Sequence, residues 1–125
     1  MKQLFFICMC AWLAAGTVSA QQAVIAVEQP VHDFGDIKEA NGRVSHTFVI
    51  ANQGDVPLVI NRVIASCGCT TPEWTKEPIA PGKTGNVKVT FDPEERVAPF
   101  QKTISIYSNG KTGSFVLTIR GNVIE

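Results

Sequence analysis

Residues 43–52 read Arg-Val-Ser-His-Thr-Phe-Val-Ile-Ala-Asn, RVSHTFVIAN. In an extended chain successive side chains alternate between two faces. Val44, His46, Phe48 and Ile50 then share one face, and Ser45, Thr47 and Val49 the other. An apolar residue at every second position marks a strand with one side in a core and one side wet. The same phase returns downstream. NVKVTFD places Val87, Val89 and Phe91 inward, with Lys88 and Thr90 outward. KTISIYS sets Ile104 and Ile106 against Thr103, Ser105 and Tyr107, and SFVLTIRG aligns Phe115, Leu117 and Ile119.

Working outward from these runs, strands are expected at 24–28, 43–52, 57–64, 85–92, 100–107 and 114–123, with a further short one near Ile37 or around Trp74. Turn-forming clusters separate them: NQGDVP, APGKTG, FDPEER and SNGKTG. Asn109-Gly110 is a hairpin-type pair in a loop longer than two residues. The stretch LVINRVIA breaks the alternation, since Leu58 and Ile60 share one phase and Val59 and Val63 the other. A bulge or a strand buried on both sides accounts for this equally well. No amphipathic helical stretch of useful length intervenes. Two sheets packed face to face hide their apolar sides where a single sheet would leave them wet. The expected fold is therefore all-β: an immunoglobulin-like antiparallel β-sandwich of about seven strands.

The first twenty residues stand outside this pattern. Lys2 gives a positive start, residues 4–15 are almost wholly apolar, and Val18 and Ala20 supply small residues before Gln21. This is the layout of a secretory signal peptide cut after Ala20, with an apolar run too short to span a bilayer. The division expected is thus a signal peptide at 1–20 and one sandwich domain at 21–125, periplasmic or secreted, with no membrane span after cleavage. Cys8 and Cys10 lie inside the apolar run, which disfavours lipidation. Loss of the segment leaves 105 residues, two cysteines, and ten cations against eleven anions. A near-neutral chain without a basic cluster is a poor nucleic-acid ligand.

Several motif matches fail on context. Asp33-Phe34-Gly35 lacks every other element of a kinase, and the two Gly-Lys-Thr triplets, at Gly82 and Gly110, lack the earlier glycine of a phosphate loop. Two histidines and no nucleophile elbow make no serine triad. No acid, base and nucleophile converge, so a non-enzymatic domain without a cofactor is expected.

Taken in order, HDFGDI, VSHTFVIANQGDVPLVI, SCGCTTPEW, PIAPGKTGNVKVTFDP, FQKTISIYSN and LTIRGNV resemble the bacterial domain-of-unknown-function family number 1573 over about Val27 to Val123. More distantly the chain resembles major-sperm-protein and pilus-chaperone type sandwiches, through Phe48, Asn52, Gly54, Pro57 and Leu58, then Pro81, Gly82, Phe91 and Pro93. The resemblance implies a secreted or periplasmic immunoglobulin-like domain. It implies no activity, because fold and function are separate inferences.

Cys67-Gly68-Cys69 is the one motif able to carry chemistry. A secreted chain with two cysteines normally joins them. In an extended strand their Cα atoms would lie about 6.6 Å apart, at the far limit for a bridge. Gly68 would ease a tight turn. A bridge this local closes almost no loop and stabilises little. A redox catalyst needs a lowered thiol pKa, for which Arg62 is the nearest cation in sequence. A metal site would draw Cys67 and Cys69 together with His32 and His46 and favour zinc or cuprous copper, but the spacing is not that of a zinc finger. His46 shares a face with Phe48 and reads as a packed histidine, and His32 as part of the HDFG turn. The leading expectation is a structural corner, oxidised or not, with thiol-redox or copper/zinc handling as the alternative. Trp74 either covers the core at the sandwich end or offers an exposed aromatic to sugar or protein. The partner expected is a protein or cell-envelope component.

Overall fold

The computed structural model describes residues 21–125, so the expected signal peptide lies outside the described residues. The described residues form eight strands: β1 (Ile25–Ala26), β2 (Val31–Lys38), β3 (Val44–Asn52), β4 (Ile60–Ala65), β5 (Thr70–Trp74), β6 (Thr84–Phe91), β7 (Pro99–Ser108) and β8 (Ser114–Ile124). A 3-10 turn at Glu39–Asn41 joins β2 to β3. One sheet has the order β1-β3-β6-β5, the other β2-β8-β7-β4. Both neighbourhoods considered for a short strand form one, β2 around Ile37 and β5 up to Trp74.

The alternation read in the sequence becomes the core. From the first sheet Phe48, Ile50, Val87, Val89 and Phe91 turn inward; from the second come Ile104, Ile106, Leu117, Ile119 and Val123. Ser45, Thr47 and Val49 face out. The irregular stretch resolves as a bulge. Leu58 pairs with Ile79 in an isolated bridge, and the β4–β7 register shifts between Ile60 and Arg62, so that Leu58, Ile60 and Val63 are all buried despite their mismatched phase. All pairings between the strands are antiparallel except β2 with β8, which run parallel, and the isolated bridge of Ala23 with Gly110 is parallel too. That exception arises because the chain leaves β1 at the edge of one sheet and crosses to the edge of the other. Gly35, in the left-handed region at φ 69°, accompanies the register shift of β2 between Asp33 and Asp36.

Among the described residues Asn52 is the one fully buried amide side chain, 1 % exposed, and all its polar atoms are used. Its Nδ2 donates to the carbonyls of Val56 and Ile79 at 2.8 and 2.9 Å. Its Oδ1 accepts from the amides of Gly54 and Val24 at 2.9 and 3.2 Å. The residue ties the start of β1, the loop between β3 and β4 and the loop between β5 and β6 into one end of the sandwich. No helix among the described residues is long and apolar enough to cross a membrane.

Candidate functional site

Two places hold the residues singled out in the sequence, and a third is an open strand edge. The first is the corner between β4 and β5. Ser66 is anchored to β7 twice, its amide donating to the Thr103 carbonyl at 2.9 Å and its Oγ accepting from the Thr103 amide at 3.1 Å. The Thr70 amide returns to the Cys67 carbonyl at 3.1 Å, and the Asp92 amide donates to the Cys69 carbonyl at 2.9 Å. Within this frame Cys67 and Cys69 form a disulfide, with Cα atoms 5.1 Å apart. The turn therefore shortens the extended separation. It does so without the conformational freedom of glycine. Gly68 has no left-handed φ, and a Cβ there would meet nothing within 4 Å. Cys69 is buried and Cys67 half-buried. Each sulfur faces a donor: the Cys69 amide at 3.1 Å from Cys67 Sγ, and Thr70 Oγ1 at 3.6 Å from Cys69 Sγ. Nearby, Arg43 reaches Asp92 at 3.8 Å beside a shallow cleft that Gly68 and Cys69 also line.

The second place is the opposite edge of the sandwich. His32 of β2 and His46 of β3 stack across the two sheets, ring centroids 3.7 Å apart and planes within 8°. His46 sets its edge against Phe48 at 4.7 Å, and His32 against Phe34 at 4.6 Å. Burial, and then the proximity of His32, hold the His46 pKa below its ordinary value. His32 lies within β2 rather than in a turn. The local bend is organised by Asp33, whose carboxylate accepts from the Gly35 amide at 2.8 Å. That bond, ahead of the Arg120 guanidinium at 3.3 Å, lowers the Asp33 pKa. The structure thus divides the four candidate metal ligands into two pairs at opposite edges, and the sulfurs are bonded to each other. Among the described residues no group of three or more His, Cys, Asp or Glu is placed to hold a metal ion. Trp74 is half-buried against the core, and Lys76 Nζ lies 3.5 Å from its ring centroid on the outer side.

The third place was not singled out in the sequence. β3 pairs with β6 over eight residues, Val44 to Ala51, but with β1 only at Ala51 and Asn52. The direction of its free groups follows from two bonds. The Asn52 amide donates to Lys83 on the β6 side, and the Gln53 amide to Val24 on the β1 side. Amides alternate along a strand, so those of Ser45, Thr47 and Val49 point away from β6. No described strand pairs with them. Beside them runs a trough of about 430 Å³ lined by Val27, Glu28, Gln29, Thr47, Phe48 and Val49, among others. The other edges are less regular. In β5 the outward amides belong to Thr70, which is bonded to Cys67, to Pro72, which has none, and to Trp74. β2 and β4 each carry a register shift. A seven-residue run of open, regular edge has no signature in a single strand's sequence, because it depends on how soon β1 leaves its neighbour.

A two-sheet sandwich with a Cys-Gly-Cys corner and a short first strand defines an immunoglobulin-like domain. Residues 25–123 match the family described as "Protein of unknown function (DUF1573)", and the chain belongs to that family. No curated protein is significantly similar to it. Among solved structures it is similar to a protein of unknown function from Porphyromonas gingivalis W83, with TM-score 0.73 and 19 % identity over 86 % of this chain and 50 % of that one. It is also similar to PapD-like domain 7 of human CEP192, with TM-score 0.68 and 7 % identity, covering 88 % of this chain and 92 % of that one. A third is the secreted serine protease VesC from Vibrio cholerae, with TM-score 0.60 and 14 % identity over 80 % of this chain and 23 % of that one. The chain spans half the length of the Porphyromonas protein and about a quarter of the protease. At these identities the likeness is one of fold.

Proposed function

We propose that the domain is a non-enzymatic, extracytoplasmic binding module that accepts an extended segment of a protein or cell-envelope partner along the outer edge of β3. The observation that carries this reading is the unpaired, regular run of β3 from Val44 to Ile50, flanked by an apolar-floored trough. An added strand gains main-chain hydrogen bonds to Ser45, Thr47 and Val49, and side chains entering the trough supply selectivity. The exposed Val49 provides an apolar cross-strand partner. Export is supported by the signal-like segment at 1–20 and by the Cys67–Cys69 disulfide, a bond characteristic of oxidising compartments.

The test places a photo-crosslinking side chain at Thr47 in cells, maps the captured segment by mass spectrometry and titrates the synthetic segment into purified protein. Thr47→Pro removes one outward amide at an edge, where proline is tolerated. It should weaken binding at least about tenfold with the β-sheet circular dichroism unchanged. Equal affinity of the segment for Thr47→Pro and wild type, or no segment captured, would reject the reading.

A further inference from the structure

We propose that Cys67–Cys69 is a thiol–disulfide exchange site that oxidises a partner dithiol. The inference does not depend on docking at β3, and it adds one stoichiometric redox reaction to a domain otherwise read as a binding module. The bond spans only two residues, so it closes almost no loop and adds little chain-entropy stabilisation. The backbone on both sides is held without it, by the Ser66–Thr103 pair, the Thr70–Cys67 turn and the Asp92–Cys69 bond. What the corner has built instead is a receptor for two separated sulfurs. The Cys69 amide already points at Cys67 Sγ, and the hydroxyl of Thr70, a residue 4 % exposed, faces Cys69 Sγ. A bonded sulfur carries no proton, so the threonine is the donor in that pair. Both donors strengthen when their sulfur becomes a thiolate, because a charged acceptor makes the stronger hydrogen bond. A buried hydroxyl aimed at a buried sulfur has no role as a staple, but it stabilises a leaving thiolate.

Exposure sets the direction of attack. Cys67 is half-buried and Cys69 only 5 % exposed, so Cys67 is the more accessible of the two to an incoming thiolate. A thiolate of the partner dithiol attacks Cys67 Sγ, and the bond to Cys69 breaks. The electron pair leaves on Cys69 Sγ, which accepts the Thr70 hydroxyl bond and then takes a proton. The partner's second thiolate attacks its own sulfur in the mixed disulfide and expels Cys67 as a thiolate facing the Cys69 amide. Two electrons have passed from the partner, now a disulfide, to Cys67 and Cys69, now a dithiol. Partner thiolate attack through a mixed disulfide is the general route of such exchange.

The test treats the purified oxidised protein with an equimolar dithiol, dithiothreitol, and quenches with an alkylating reagent in denaturant, so that both thiols are open to it, for mass analysis. Both cysteines should become alkylated, and the reduced protein should keep its β-sheet signal with a melting temperature lowered by less than about 5 °C. Glutathione in place of the dithiol should be found on Cys67 by tandem mass spectrometry. Thr70→Val, which keeps the shape and removes the hydroxyl, should slow reduction about threefold or more. In Cys69→Ser, the remaining Cys67 thiol should react with an aromatic disulfide at least about tenfold faster than Cys69 does in Cys67→Ser. A bond that survives equimolar dithiol, glutathione on Cys69, a Thr70→Val rate equal to wild type, or loss of the fold on reduction would each overturn the proposal.

Discussion

Asn52 concentrates more of the fold's specificity than any other single side chain. Its four hydrogen bonds reach Val24 just before β1, Gly54 and Val56 after β3, and the strand-like bridge at Ile79, the last buried and the others partly so. Alanine would leave two carbonyls and two amides, wholly or partly buried, without their partner, which costs about 2–4 kcal/mol and is read as a shift in the urea midpoint. Aspartate should not rescue it, because a carboxylate replaces the two donors with acceptors facing carbonyls. The histidine pair acts at the same scale with a sign that can be worked out. The folded pKa of His46 is depressed, so the unfolded chain binds the proton first as pH falls. Stability is therefore unaffected by this group above its ordinary pKa and declines as pH drops from about 7 towards 5. Melting temperatures across that window should fall for wild type and fall less for His46→Phe. A profile identical for both would show that His46 does not titrate differently in the two states.

At the scale of the element, alternation was legible and edges were not. The inward residues of β3, β6, β7 and β8 are those expected from period two, since burial on one face imposes that period locally. Ile106→Ala, in the middle of this layer, should cost about 2–5 kcal/mol, measurable by the same denaturant titration. The bulge in β4 was visible as a broken phase, although the choice between bulge and double burial needed the partner strand. The hairpin after β7 illustrates a different limit. Asn109-Gly110 has the composition of a tight turn, yet Asn109 spends its side chain on the Val59 amide at 2.8 Å and the Pro57 carbonyl at 3.1 Å. The left-handed residue is Gly113, whose amide returns to the Gly110 carbonyl. Long-range bonding redirected a locally favourable pair.

For the whole molecule, the sandwich, its family and its core follow from strand phase and from an ordered set of short strings spread over nearly the whole described domain. The site follows less directly. The Cys67–Cys69 corner was conspicuous because two cysteines so close in sequence are rare in composition, whereas the meeting of His32 and His46, from strands in different sheets, is a product of tertiary packing. The open run of β3 is likewise a property of the assembled sheet: it exists because β1 contributes two residues where its neighbour offers nine. Amide hydrogen exchange along β3 in the free protein tests that most directly. Ser45, Thr47 and Val49 should exchange rapidly while His46, Phe48 and Ile50, bonded to β6, remain protected, giving an alternating pattern through the strand. Uniform protection of all six would mean that the outer edge is already covered, and the docking account would be wrong.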